Sequence, residues 1–352
     1  MATGAAAGGA GAGAEAQDAA TSAAIAMVRG WANGPAIIGN AVAVLFVFVD
    51  GVGAGSADPE VNPLARGEFL LSRFGDGTGA RLPRGGRGSL ADACLGVPGR
   101  PQSATGQGTI LTGENAPAAV GAHLLGFPNA QLREWIEPRS IFRAARQRGI
   151  RAAFANAYPV AHLRALGLPA DGEPEFDPEL VRRRARRSAT TVAFAAGGGR
   201  FRTWRDAREG RALTHDVTGE RANGYGAFLP PRSPEEAAEI LLGLSRDHDL
   251  TLFEFFETDE AGHARSMERA LEALSRLDRM LRALAAGLRA GDSLVVASDH
   301  GNLEDLSHRN HTRNPVPVLG FGGAAERVGE VRDLTGIAPL LLGLAAGEAT
   351  AG

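Results

Sequence analysis

The residues of this chain best suited to chemistry are carboxylates and imidazoles standing where apolar runs stop. Ser298-Asp299-His300-Gly301-Asn302 follows the run 294–297, and His311 comes eleven residues after His300. Asp50 ends the run 41–49, and Asp259 and His263 lie four residues apart. On a helix, that spacing turns both side chains to one side, so Asp259 and His263 can face one ion. With His311 they make a two-His, one-carboxylate set of the kind that holds zinc or manganese and leaves room for substrate. Asp50, Asp299 and His300 make a second set, richer in oxygen. Two divalent ions about 4 Å apart can clamp the attacking and leaving oxygens of a phosphoryl group. A lone Asp after a strand is ordinarily a turn or helix cap. A lone His is ordinarily packed or on the surface. Six such residues, each at an apparent element end, point instead to a metal centre.

The elements that must position them are legible as apolar patterns. The run 41–49 is continuous, β-branched and aromatic, as a strand buried on both faces is. Segments 252–256 and 294–297 repeat the plan, and 150–154 reads as a further strand preceded by a helix over 140–148. Segments 234–244 and 264–288 carry apolar residues at helical spacing, the second with Met267, Leu271, Leu274, Leu277, Leu281 and Leu284 on one stripe. Alternating strands and helices predict an α/β fold, a mostly parallel central sheet covered by helices on both faces. Such sheets gather functional residues at the strands' carboxyl ends, where Asp50, Asp259 and Asp299 fall. Residues 39–166 and 231–346 are expected to form this core. Residues 167–230, with arginines at 182, 183, 184, 186 and 187, are expected to form a small inserted cap. The arginine run itself is read as a solvated helix face.

Composition removes several alternatives. All 37 basic residues are Arg, so no lysine Schiff base, lysine general base or Walker-type lysine exists. A net charge of −3 provides no general attraction to nucleic acid or anionic membranes. The single cysteine, Cys94, excludes an intramolecular disulfide framework and reads as a small core residue. Residues 1–38 are Ala/Gly-rich without a basic n-region and are expected to be a disordered leader. The run 41–49 is too short to span a bilayer, and the expected setting is cytoplasmic. Gly51-Val52-Gly53-Ala54-Gly55 hints at a dinucleotide-binding oxidoreductase, but the third glycine is misplaced, Pro59 spoils the helix and Asp50 would face the pyrophosphate.

Val49-Asp50-Gly51-Val52-Gly53, Asp259-Glu260-Ala261-Gly262-His263, Ser298-Asp299-His300-Gly301-Asn302 with Glu304, and His311-Thr312-Arg313-Asn314-Pro315-Val316-Pro317 together resemble the alkaline phosphatase superfamily of metalloenzymes. The nearest likeness is to the branch of cofactor-independent phosphoglycerate mutase and phosphopentomutase. It covers roughly residues 40–130 and 235–345, and Asp333-Leu334-Thr335-Gly336-Ile337-Ala338-Pro339 resembles the start of the family's last helix. The resemblance implies two divalent ions, Mn²⁺ or Zn²⁺. Asp50, Ser103, Asp299 and His300 would hold one, and Asp259, His263 and His311 the other. It also implies a Ser or Thr nucleophile. Within 102–113 both the mutase and the sulfatase spacings select Ser103, with Thr105 as fallback. Ser103 would attack the phosphoryl group in line, giving a phosphoseryl intermediate that passes to water or to a hydroxyl of the same substrate. The imidazole ligands must be neutral to bind, so activity is expected to fall below about pH 6.

Asn115, Arg313, His215 and Asp216 are further candidates for contact with a small phosphorylated substrate, each balanced against a surface or turn role. The interval from Ser103 to Asp259 is short for a large mutase cap. A mutase must keep its intermediate from water, so hydrolysis of a small phosphate ester is the first expectation and phosphomutase the alternative. A non-catalytic metal-binding protein is a further alternative. Substrate identity and oligomeric state are not legible.

Overall fold

A computed structural model of the chain describes residues 42–74, 79–183 and 185–348, so the leader expected over 1–38 lies outside the described residues. The apolar run forms β1, Val44–Val49, with all six residues buried. Val44, Phe46 and Phe48 enter one apolar layer and Leu45, Val47 and Val49 the other. Both faces of the strand are covered, which is why its sequence is continuous rather than alternating. The remaining strands are β2 (Ala80–Arg81), β3 (Arg87–Ala91), β4 (Ala152–Phe154), β5 (Ala157–Tyr158), β6 (Arg202–Thr203), β7 (Leu250–Phe255), β8 (Ser293–Ser298) and β9 (Val316–Gly322). Seven build the central sheet in the order β2-β3-β9-β8-β1-β7-β4, and β5 pairs with β6 apart from it. The parallel sheet expected from sequence is its heart, β8-β1-β7-β4. Beyond β8, the strands β9, β3 and β2 continue it in antiparallel, so the sheet is mixed.

Helices cover both faces. Over the first lie α1 (Ser103–Thr112), α2 (Ala130–Arg139), α3 (Ile141–Gln147), α4 (Ala189–Ala196) and, at the end of the chain, α8 (Ile337–Ala345). Over the second lie α5 (Pro234–Arg246) and α7 (Met267–Gly287). Between these two, α6 (Glu257–Ala264) follows β7 directly. α5 begins with a reciprocal Ser233–Glu236 capping box and a proline in its first turn, both of which satisfy or remove otherwise orphaned N–H groups. The stripe on α7 is seated on the sheet, with Leu274, Leu277, Leu281 and Leu284 fully buried. Truncating Leu277 to Ala would cost about 2–5 kcal/mol.

The stretch 167–230 divides. Ala189, Val192, Ala193 and Phe194 on α4 belong to the first core layer, whereas Trp204, Ala207, Ala212, Ala222, Ala227 and Leu229 form a small separate cluster with Ala157. Cys94 is half-buried, not a core residue, with its thiol 3.9 Å from the Arg313 carbonyl. No described helix is long and apolar enough to cross a membrane.

Candidate metal centre

Register brings the motif residues together. Val49 pairs with Phe255 on one side and Ser298 on the other, so the residues just beyond, Asp50 and Asp299, emerge side by side at the strands' carboxyl ends. Two close approaches at glycine allow this. Gly51 has φ +75, and a Cβ there would meet the Asp259 carboxylate at 2.7 Å. Gly106 on α1 lies so close to β8 that a Cβ would fall 2.9 Å from the Asp299 carbonyl. That close approach carries Ser103, the first residue of α1, into the centre.

Ser103 Oγ lies 2.9 Å from His300 Nε2, and the preceding Gln102 makes no side-chain cap. Ser103 therefore does not serve as the helix cap. Thr105, the alternative nucleophile, donates to the Gln102 carbonyl and accepts from the Leu124 N–H. His300 Nε2 stands 3.2 Å from Asp50 Oδ1 and 3.6 Å from Asp299 Oδ2. Asp259 Oδ2 is 3.2 Å from His263 Nε2, and its Oδ1 is 3.6 Å from His311 Nε2. The His300 and His311 rings stack at 3.7 Å, so the two sets share one wall. Asp50, Asp299 and His300 form one compact ligand group, and Asp259, His300 and His311 another.

These residues fit a cation. The His311 Nδ1 is 2.9 Å from the Pro101 carbonyl and the His263 Nδ1 is 3.0 Å from the Arg309 carbonyl. A carbonyl can only accept, so each Nδ1 carries a proton and each ring aims its Nε2 into the centre, where the hydrogen bond to Asp259 raises the His263 pKa above its ordinary value. Those two Nε2 atoms face each other at 3.2 Å, a repulsive arrangement unless a proton or metal stands with them. Asp50 Oδ1 and Asp299 Oδ2 are buried without a hydrogen-bond partner among the described residues, although buried polar atoms are ordinarily paired. Burial, then the neighbouring Asp259 and Glu254 charges, pushes the Asp50 carboxyl well above its ordinary value. Burial and Asp50 do the same to Asp299. A divalent ion would neutralise this excess of negative charge. Burial, then the His300 charge, pulls His311 down to about 4, so the ring is neutral near neutral pH.

Around the centre, Glu304 ties three loops together. It accepts from the Gly53 and Asn302 backbones at 2.8 and 2.9 Å, from Thr312 Oγ1, and from Asn314 Nδ2 at 3.1 Å. Asn302 Nδ2 donates to Asp259 Oδ1 at 2.7 Å and fixes its orientation.

The four proposed substrate contacts separate. Asn115 is engaged at both ends of its amide, accepting from Ala118 N and donating to the Leu95 carbonyl. Asp216 is buried in its turn, accepting from Arg221 N at 2.8 Å and from Thr218 Oγ1. Arg313 is exposed and lines a cavity with Arg100, His308 and His311. His215 faces inward, its Nε2 4.0 Å from Glu254 Oε2. Glu254 itself had no sequence signal, because one acidic residue inside an apolar strand resembles a misplaced surface residue. It is only 5% exposed, and burial pushes its carboxyl up to about 7.

A family model described as the Metalloenzyme superfamily matches residues 217–346. The 2,3-bisphosphoglycerate-independent phosphoglycerate mutase of Cereibacter sphaeroides is 34% identical over 123 residues, 32% of this chain and 24% of that protein. The mutase of the same description from Paracoccus denitrificans is 34% identical over 145 residues, 38% of this chain and 26% of that protein. The chain thus spans about a quarter of the length of the curated relatives it matches. Among solved structures, the PH0037 protein from Pyrococcus horikoshii aligns with a TM-score of 0.51 at 16% identity, covering 88% of this chain and 98% of that one. Residues 217–346 thus match the Metalloenzyme superfamily, and about a third of the chain is similar to the phosphoglycerate mutases.

Proposed function

We propose that the chain is a metal-dependent phosphoryl-transfer enzyme that uses Ser103 as nucleophile on a small phosphate ester, with hydrolysis as the overall reaction. The observation that carries this reading is the Ser103 hydroxyl at an uncapped helix N-terminus, 2.9 Å from His300 in a nest of unpaired carboxylate oxygens. Helix N–H groups and a neighbouring cation both favour the alkoxide over the alcohol. Asp50, Asp299 and His300 would hold one divalent ion, with Ser103 beside it, and Asp259, His263 and His311 a second, Mn²⁺ or Zn²⁺. Such ions supply charge neutralisation for the phosphoryl oxygens. The chain's own residues do the rest. Glu304 and Asn302 hold the loops and the Asp259 carboxylate still, and the backbone carbonyls of Pro101 and Arg309 keep each imidazole aimed with its Nε2 toward the centre.

The cluster around Trp204 and Leu229, with His215 beside it, supplies the remaining cover, smaller than the whole of 167–230 because α4 is committed to the core. A small cover leaves the intermediate open to water, which favours hydrolysis. The phosphomutase reading is favoured by a different observation, the identity of 34% to phosphoglycerate mutases. A screen of phosphorylated metabolites with Mn²⁺ or Zn²⁺ decides between them. Free phosphate supports the hydrolase, isomerised ester without free phosphate supports the mutase, and no metal-dependent turnover of any ester sinks both.

A further inference from the structure

One polar cluster beside the metal centre is used by none of these roles. Glu254 pairs in register with Phe48, one strand over from the Asp50 loop, and alternation puts it on the same sheet face as Leu252. That is the face carrying α1 with Ser103 and α4 with Thr190. The Asn156 side chain clamps the Glu254 backbone from both sides, and Thr190 Oγ1 holds Glu254 Oε1 at 3.2 Å. The other oxygen, Oε2, has no hydrogen bond among the described residues and lies 4.0 Å from His215 Nε2. His215 meets Tyr158 edge-on at 5.1 Å and Phe256 at 4.6 Å. The Tyr158 hydroxyl and the His215 Nε2 likewise make no hydrogen bond among the described residues, and both rings are half-buried. Glu254 is close enough to act on the charges of both Asp50 and Tyr158.

Three polar tips without a protein partner, one on a buried carboxyl and two on half-buried rings, are set among aromatic faces next to a phosphate site, where the hydroxyls of a ligand can satisfy them. Taking the phosphoryl-transfer reading as its basis, we propose that Glu254, His215 and Tyr158 form the subsite for the alcohol half of the ester, and that they select a hydroxyl-bearing, carboxylate-free one, a sugar or polyol phosphate. Hydroxyls donate to Glu254 Oε2 and both donate to and accept from His215 and Tyr158, while the ring faces pack against carbon-bound hydrogens. A phosphorylated acid would bring a carboxylate against Glu254, where it meets either a repelling charge or, below about pH 7, a carboxyl whose proton it must compete for. An amino-alcohol phosphate suits the carboxylate, but Arg221 stands over the Phe256 ring at 5.5 Å and acts on His215 as a like charge, which disfavours a cation.

The test uses the full chain loaded with Mn²⁺, assayed with a pentose phosphate, a polyol phosphate, 3-phosphoglycerate and phosphoethanolamine. Wild type is expected to favour the sugar and polyol esters over 3-phosphoglycerate by about tenfold or more in kcat/KM, the worth of one well-made hydrogen bond to a charged group. Glu254→Gln should lower kcat/KM for the sugar phosphate about tenfold, mainly through KM, and raise it for 3-phosphoglycerate. Tyr158→Phe should move the same ratio less far. A merely structural Glu254 would lower both substrates together, and that result, or a wild-type preference for 3-phosphoglycerate or phosphoethanolamine, overturns the proposal. Calorimetric binding of the same compounds reads the preference without turnover. Selective binding of sugar phosphate without turnover would therefore sink the phosphoryl-transfer reading alone, while unselective binding would sink the subsite.

Discussion

Two polar regions lie a few residues apart at the same end of the sheet, and they are built on opposite principles. The candidate metal centre concentrates carboxylates, with Asp50 and Asp299 oxygens left without a hydrogen bond and the His263 and His311 Nε2 atoms face to face. The Glu254 cluster carries a single carboxyl, half satisfied by Thr190 and braced by Asn156. The first arrangement suits cations and the second a neutral polar ligand. On the reading proposed above, one region sets the chemistry and the other sets what the chemistry is done to.

The sharpest break between them is at Ser103. Ser103→Ala should abolish the covalent step and lower kcat on the order of a thousandfold or more on every ester, with substrate preference among residual activities unchanged. Glu254→Gln should do the reverse, shifting preference while leaving the phosphoseryl intermediate trappable by acid quench with labelled ester. Unchanged turnover in Ser103→Ala would remove the nucleophile and leave the metal centre without a reaction.

A smaller effect separates the regions by stability. Metal at about 100 times its Kd should stabilise the protein by about 2.7 kcal/mol, seen as a rise in Tm. Asp299→Asn should lose most of that gain, yet be no less stable than wild type without metal, because it removes one of several mutually repelling buried carboxylates. Glu254→Gln should keep the metal-dependent rise intact. If Asp299→Asn keeps the full rise and Glu254→Gln loses it, the ligand assignment is wrong.

In metal-free protein the same contrast takes a pH form. Burial, with Arg221 next, pulls His215 down to about 3, and burial with His300 pulls His311 to about 4. Their unfolded counterparts take up protons below pH about 6.5, so between there and about 4 the unfolded chain binds more protons and stability falls as pH falls. Glu254 has the opposite sign. Its folded carboxyl holds a proton up to about 7 while the unfolded one releases it near 4.5, so its contribution is lost as pH rises through that interval. The two partly cancel between about pH 4.5 and 6.5. Glu254→Gln removes one side of the balance, and its thermal stability should fall more steeply on acidification than that of wild type. A parallel pair of curves would show that Glu254 does not titrate as described.

The two regions also differ in how much the sequence disclosed. Asp50, Asp299 and His300 were legible because a strand buried on both faces announces itself as a continuous apolar run, and the residue that ends it is conspicuous. Asp259 and His263 were legible because helical spacing is local. Glu254 was hidden inside such a run, and its partners Tyr158, Thr190 and His215 come from separate segments that only the folded sheet brings together. The same limit applies to the stretch 167–230. α4 is short, and nothing in its local pattern says that Phe194 packs on Phe142 and Phe154 rather than in a cover over the site. The antiparallel strands were missed for a related reason, since β2 and β3 are short or glycine-containing, and β3 pairs with the distant β9 while β2 pairs only with β3.

The smallest expected effect concerns a residue near the centre in sequence but tied to the scaffold. Asn115 precedes the short helix Ala116–Val120, its Oδ1 accepting from Ala118 N and its Nδ2 donating to the Leu95 carbonyl. With its oxygen and one N–H engaged by backbone, the amide is held as a scaffold tie and keeps only a single N–H free. Asn115→Ala should cost about 1 kcal/mol from the lost cap, somewhat more if the Leu95 carbonyl finds no water. Denaturant titration would read this as a lower midpoint with unchanged slope. KM for the best ester should stay within about twofold of wild type, the range expected when no substrate contact is removed. A KM rise of tenfold or more, with stability unmoved, would reverse the assignment and extend the substrate site to the far end of α1, where the Glu254 cluster has no reach.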